Sequence, residues 1–453
     1  MKDWLIWSKR SAGFYRKRWE GIELTKTTKK TVKVCAGLLV VLLVLSTCMV
    51  MAAAKKPVEL TYWYPNGLSN EQAVLKQAIA LFNRQNPDIV VKGEFAGTSG
   101  SGQGTTDKLM VAISGGNPPD VVTFDRFMVG QWADQGLFEN VSALARAAKI
   151  NKNQFYDFAW QEASYKGNLY GLPFDTDTRA LFYNKKMFRE AGLDPNKPPL
   201  SIKQLDEYAA KLTKKEGNRY RVIGFIPWLQ QGWLYTWGWS FGGQFQDKKT
   251  GKITANDPGI VKALEWETTY AKKYDIEAVT NFATAAGGDI NPFAAGMVAM
   301  VISGPWELSG FKVNAPNLDY GISYIPTPSG TKFNSWAGGW ANVIPKGVKN
   351  KEAAFRFARF MSLGEGARLY GEGTTHFMAA RALNDKFTWF KEDPRYQIFV
   401  SLLPKSFCRP VIPKGQLLWD ELVNATDSAL NGKGTPKDLL DKATAKVNKE
   451  LGY

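Results

Sequence analysis

Histidine occurs once in this chain, at His376, and cysteine three times, at Cys35, Cys48 and Cys408. A single histidine removes His-based metal clusters and any Ser-His-Asp triad with a spare ring, and leaves His376 as a packing or surface residue. Cys35 and Cys48 fall in an apolar N-terminal run, so Cys408 stands alone and an internal disulfide framework is excluded. The Gly-rich stretch 97–106, GTSGSGQGTT, lacks the Gly-Lys-Ser/Thr ending of a phosphate-binding P-loop and reads as a flexible loop. No repeat of solenoid length is present. The formal net charge is +16, yet no dense Lys/Arg block follows Lys56. That basicity fits solubility or attraction to an anionic cell surface, not a nucleic-acid partner.

What is present is a globular composition, 44% hydrophobic and 22% charged, over 453 residues, enough for two or three domains. Aromatics reach 13%, with 16 Trp, more than a core requires. Exposed Trp and Tyr serve flat apolar ligand faces, such as sugar rings, or protein interfaces.

Residues 34–54 read VCAGLLVVLLVLSTCMVMAAA, with Lys26, Lys29, Lys30 and Lys33 before the run and Lys55 and Lys56 after it. A basic n-region, an apolar h-region and small residues at Ala52–Ala54 make residues 1–54 a signal peptide or a membrane anchor. The run is also long enough to span a bilayer uncleaved. Leu45–Cys48, LSTC, is similar to a bacterial lipobox that would lipidate Cys48, with Thr47 where that pattern has Gly, Ala or Ser. Each version exports the remainder, to the periplasm or the outer face of the cell membrane.

In the exported part, ELTYWY (59–64) is a strand, 71–85 a helix with apolar positions at the 3.6 period, DIVVKGEF a strand, 105–114 a helix, and PPDVVTFD a strand. This β-α-β-α-β order argues for an open α/β sheet with ligands at its strand ends. The pattern recurs: RALFYN, a helix over 201–215, VIGFIPW, a helix over 258–273, and MVAMVISG. Two α/β lobes follow. The stretch 326–335, PTPSGTKFNS, reads as a hinge strip, and the chain beyond Lys351 is helical.

Asp125 and Arg126 end a strand, where a carboxylate can accept from vicinal hydroxyls and a guanidinium can donate in a fixed fork; they are equally a surface pair. Asp175 and Asp177, with Arg179 beside them, raise general acid/base chemistry, ligand hydrogen bonding or a plain turn. Tryptophans gather at turns: Trp228, Trp233, Trp237 and Trp239 within IPWLQQGWLYTWGWSFGG, Trp306 after Gly304-Pro305, and Trp336 and Trp340 around Gly338-Gly339. Turn-borne tryptophans have surface backbones and line clefts more readily than cores. Trp237 and Trp239 continue an apolar segment and are the expected core members.

Four segments together resemble the extracellular solute-binding proteins of bacterial ABC importers, in the carbohydrate-binding family that includes maltose-binding protein: NPPDVVTFDRF (117–127), GNLYGLPFDTDTRALFYNKKMFREAGLDP (167–195), FAAGMVAMVISGPW (293–306) and GGWANVIPKGVKNKEAAFRFARFM (338–361). The resemblance covers the exported chain. It implies the two-lobed periplasmic-binding-protein fold, two discontinuous α/β lobes with ligand in the cleft between them. Lobe 1 would be 57–172 and 327–377, lobe 2 178–324 and 385–453, and the hinge crossings 173–177, 325–326 and 378–384. Carried over position by position, Asp125, Arg126 and Asp177 match polar sugar contacts, Trp306 and Trp419 aromatic platforms, and Trp63 and Asn66 the first strand-to-helix loop. Gly338, Gly339 and Trp340 belong to the fourth segment; Trp228, Trp233 and Arg381 are further ligand candidates. The resemblance implies a monomer that delivers a carbohydrate to transmembrane permease subunits, with no catalytic residue, metal or cofactor.

Two other classes remain open on residues alone: a secreted carbohydrate-active enzyme using Asp125 with Asp175 or Asp177, and a binder of peptides or anionic solutes on the same fold. A glycosidase needs one carboxylic acid of raised pKa opposite a second carboxylate. Arg126 and Arg179 beside these acids favour their charged forms, which suits acceptors better than a proton donor.

Overall fold

The computed structural model describes residues 56–65, 67, 69–97, 103–285 and 291–453. The export segment 1–54, with Cys35 and Cys48, and Asn66 therefore lie outside the described residues. Among the described residues, no helix is long and apolar enough to cross a membrane.

Val58–Tyr64 (β1), rich in β-branched and aromatic residues, pairs in parallel with Ile89–Phe95 (β2). The crossover Ser69–Gln85 (α1) buries Leu75, Ala78, Ile79 and Phe82 on one face. Gln103–Ser114 (α2) leads to Val121–Asp125 (β3), parallel to β1. Arg126–Asp134 (α3) starts at once because the Asp125 carboxylate accepts from Phe127 N and caps it. Asp157–Glu162 (α4), Gly171–Pro173 (β4) and the short Asp175–Thr176 (β5) follow.

Ala180–Asn184 (β6) opens a second sheet and is buried throughout. Ile202–Leu212 (α5) begins in a capping box between Ser201 and Gln204. It stops before the residue 215 expected from sequence because Lys214–Glu216 (β7) turns back on Arg219–Phe225 (β8) as an edge hairpin. Leu234–Ser240 (α6) and Pro258–Lys273 (α7) come next, α7 with Asp257 as cap and Pro258 in its first turn. Val298–Ser303 (β9), Trp306–Asn314 (α8) and Tyr320–Ser323 (β10) complete this part.

The two five-stranded sheets run β2-β1-β3-β12-β4 and β10-β6-β9-β8-β7, where β12 is Trp340–Val343, reached after Ser335–Trp336 (β11). The first sheet is parallel at β2-β1-β3 and antiparallel at β12 and β4. Lys351–Leu363 (α9) and Glu365–Thr374 (α10) pack on this first sheet and on α1. Phe357 of α9 meets Tyr62 and Phe82 edge-on at 4.9 and 5.0 Å. Phe377–Met378 (β13), Tyr396–Leu402 (α11) and Ser406–Phe407 (β14) lead to Gly415–Leu430 (α12) and Pro436–Glu450 (α13), which pack on α7.

Three passages join the sheets; one strand pair ties the first passage to the third, and another ties the second passage to the segment that follows the third. β5 pairs with β13 antiparallel, and β11 with β14 in parallel. Expected from sequence at 325–326, the second passage comes later: Thr327 bridges Ser201, and Asn334 donates to the Trp239 carbonyl, so contacts with the second sheet's elements persist to residue 334. Trp237 and Trp239 are buried, Trp237 edge-on to Phe225 at 5.8 Å.

Candidate functional site

The passages bring the ends of both sheets together around Trp336 on β11. One Trp336 face carries the Arg179 guanidinium 3.9 Å from the ring centroid, and the Arg409 guanidinium lies 5.1 Å from the same ring. Each arginine holds one of the expected carboxylates. Arg179, at the start of β6, pairs with Asp177 and donates from Nε to Gln231 Oε1 at 3.3 Å. Arg409, three residues beyond β14's first residue, donates from Nη2 to Asp125 Oδ1 at 2.9 Å. Asp125 and Asp177 are thus ion-paired acceptors, each with part of its carboxylate surface exposed.

Arg126 departs from the sequence expectation of a sugar contact. Its side chain has no exposed surface; Nε donates to Glu162 Oε2 at 3.1 Å, and the two terminal nitrogens donate to the carbonyls of Asp175 and Gly338. It is an internal strut tying α3, α4, β5 and the glycine turn together, because a buried guanidinium needs all its donors satisfied. Burial pushes the Glu162 carboxyl up, against the pull of Arg126 and Arg409. Asp175 is buried as well. Its Oδ1 accepts from Trp340 N at 2.7 Å, and burial pushes it up to about 6, against His376, that backbone bond and Arg126.

Gly338 and Gly339 have a structural reason to be glycine. A Cβ on Gly338 would lie 2.7 Å from Arg179 Nη2; on Gly339, at φ +130°, it would lie 2.6 Å from both Arg126 Nη1 and the Asp175 carbonyl. The turn is thin so that the two arginines can close on it. Gly338 N also donates to Asp177 Oδ1 at 2.9 Å.

The aromatic side is built mainly from the second sheet's helices. Trp233 precedes α6 and is 38% exposed, the most open of the expected tryptophans. Trp419, on α12, meets Trp233 at 5.0 Å and Tyr235 at 6.0 Å. Trp228, Trp233 and Trp419 line a small cavity of about 110 Å³ with Leu422 and Thr426. Trp306, half-buried at the head of α8, lies 5.7 Å from the Arg179 guanidinium, and Trp340 is half-buried at the start of β12. Such faces with adjoining carboxylates suit a ring that is apolar on its faces and hydroxylated at its edge.

Two expected residues lie apart. Trp63 is buried at the end of β1, donates to Glu94 Oε2 at 3.0 Å and carries Lys108 at 4.2 Å over its ring. Arg381 donates to the Phe155 carbonyl at 2.7 Å and to Asp157 at 2.9 Å, and lines a cavity of about 430 Å³ with Tyr156, Trp239 and Phe407 whose wall also includes Arg409. Sequence reading did not select Gln231 or Arg409, and it noted Trp336 as a turn-borne tryptophan without carrying it into the ligand candidates. Arg409 carried one signal: a lone cation inside the proline-flanked, otherwise uncharged stretch FCRPVIP.

The family model described as bacterial extracellular solute-binding protein matches residues 66–367. The maltooligosaccharide ABC transporter solute-binding lipoprotein of Streptococcus pneumoniae (strain TIGR4) is 26% identical over 368 residues, covering 78% of this chain and 81% of that one. The galactooligosaccharide-binding protein of Bacillus subtilis (strain 168) is 25% identical over 403 residues, covering 86% and 89%. Among solved structures, CpMnBP1 with mannotriose bound superposes with a TM-score of 0.76 at 28% identity, covering 86% of this chain and 99% of that one.

Proposed function

Since the chain belongs to the bacterial extracellular solute-binding proteins, whose members are binding proteins, we propose that it is the oligosaccharide-binding component of an ABC importer. The observation that carries this reading is the double Asp–Arg arrangement on Trp336, with the Trp233–Trp419 pair beside it. The site residues are Asp125, Asp177, Trp228, Trp233, Trp306, Trp340 and Trp419, with Gln231, Trp336 and Arg409 added. The lobes are 57–172 with 340–377, and 178–334 with 385–453, joined through 173–177, 335–339 and 378–384. Sugar bound between them draws the lobes together, and transmembrane permease subunits recognise the closed form of a monomer. Residues 1–54 export the chain, either to the periplasm as a cleaved signal or to the outer face of the cell membrane through a lipidated Cys48 or an uncleaved helix.

The test is calorimetric titration of the purified full chain with neutral oligosaccharides of two to six rings, followed by mass analysis of the sugar. Saturable binding with the sugar recovered intact is expected. Shortened products would replace this reading with the enzyme, and absence of any sugar binding would remove it.

A further inference from the structure

The cleft floor holds the guanidinium groups of Arg126, Arg179 and Arg409, and each already pairs with a carboxylate. Arg126 is bound by Glu162 and two carbonyls. Arg179 is bound by Asp177, Gln231 and the Trp336 carbonyl. Arg409 is bound by Asp125, with Glu162 Oε1 4.0 Å from its Nε. Arg409 is the one that arrives from far away, 284 positions from its partner. Its flat guanidinium stands 4.3 Å from the Phe127 ring as well as 5.1 Å from Trp336, a position an ammonium would fill poorly. Burial pulls its pKa down, but Asp125 and Glu162 outweigh that, and the net shift is upward. It is a fixed cation whose charge is cancelled in place.

We propose that Arg409 is a positioning residue that completes the site by fixing the Asp125 carboxylate, and that the cleft thereby selects an uncharged oligosaccharide over an acidic one. This rests on the sugar-binding reading above. A sugar hydroxyl can donate to the remaining lone pairs of Asp125 and Asp177 without disturbing either ion pair. A uronate would bring a carboxylate against those same acids, lose its hydration and meet, among the described residues of the cleft floor, guanidinium groups that each already pair with a carboxylate. Lys108 is a cation elsewhere on the first lobe, but it is solvent-exposed on Trp63, with Asp107 next to it in sequence and Glu94 on the indole nitrogen. The stretch 97–106, part of which lies outside the described residues, contributes no charged side chain.

The experiment titrates the full chain and its R409Q, R409K and D125N variants with neutral oligosaccharides and with oligogalacturonides of matched length, at low and high salt. Unfolding curves confirm that each variant is folded. The unmodified protein is expected to bind the neutral series at least about a hundredfold more tightly, since like charges placed together across an interface repel. R409Q weakens neutral binding by about tenfold through the loosened Asp125, and R409K restores only part of that. D125N releases Arg409, so the preference for neutral over acidic sugar narrows by about tenfold, in a salt-dependent way. A residue that merely held the fold would not move that ratio. Oligogalacturonides bound as tightly as neutral sugars by the unmodified protein, or an unchanged ratio in D125N, would overturn the inference alone. Binding of neither series would overturn the sugar-binding reading, and this inference with it.

Discussion

The Arg179 guanidinium lies 3.9 Å over the Trp336 ring, joining the first strand-run of the second lobe to the β11 passage. Because Arg409 touches the same indole and holds Asp125, one side chain aligns both of the cleft's ion pairs. Trp336→Leu is therefore expected to weaken sugar binding by about 1–2 kcal/mol, the range of a partly desolvated cation–π contact, although Trp336 is 3% exposed and offers a ligand little surface. Titration calorimetry checks it. Affinity equal to the unmodified protein would show that the two ion pairs hold their geometry without the ring.

Trp233 and Trp419 meet at 5.0 Å with planes tilted by 55°, from α6 and α12 respectively. If they form one aromatic wall, their contributions are coupled. Each alanine substitution is expected to cost about 1 kcal/mol of sugar affinity or more, and the double variant less than the sum of the two, with an interaction of about 0.5–1 kcal/mol. A double-mutant cycle by calorimetry measures this. Strict additivity would mean that the two rings face different parts of the ligand, or that only one faces it.

The order of strands and helices was legible because burial follows period. The apolar positions of α1, the fully buried β6 and β9, and the Ser201 and Pro258 starts of α5 and α7 all appear as local patterns. The tryptophan turns and the two aspartates were legible as residue types suited to a sugar. The strand pairs at the crossings were not, because β5, β11, β13 and β14 are two residues each, too short to carry a period. Nor was the role of the arginines. Arg126 beside Asp125 looked like a ligand fork, and only the fold shows that it points inward to Glu162 while Arg409 takes the Asp125 carboxylate. Pairings across 284 positions leave no local trace in a single sequence.

Gly339 tests the thin turn on which the arginines rest. Its φ of +130° is costly for any side chain, and a Cβ would collide with Arg126 and the Asp175 carbonyl. Gly339→Ala is expected to destabilise the protein by about 1–3 kcal/mol and to weaken sugar binding with it. Gly136→Ala is the control: φ is positive there as well, at +70°, but nothing lies within 4 Å of the added Cβ. Denaturant unfolding of both variants separates collision from backbone strain. Equal losses would mean that the closeness of Arg126 is unimportant.

Asp175 gives the molecule a titration on its hinge. Its carboxyl is buried, and burial outweighs His376, the Trp340 N–H bond and Arg126, so its pKa stands at about 6 against an ordinary 3.8. The folded state therefore holds this proton more tightly than the unfolded chain does. By linkage, the resulting stabilisation is complete below the unfolded value, is lost as pH rises through 6, and changes little above that. A shift of this size corresponds to about 3 kcal/mol between the two plateaus. Asp175→Asn keeps an acceptor for Trp340 N but removes the proton. The stability of D175N relative to the unmodified protein should thus rise from pH 4 to 7 and level off beyond, while titrations of all other groups cancel in the difference. Denaturant midpoints at five pH values between 4 and 8 measure it. Parallel curves for the two proteins would mean that Asp175 keeps an ordinary pKa in the fold. In that case Arg126 and His376 compensate its burial fully.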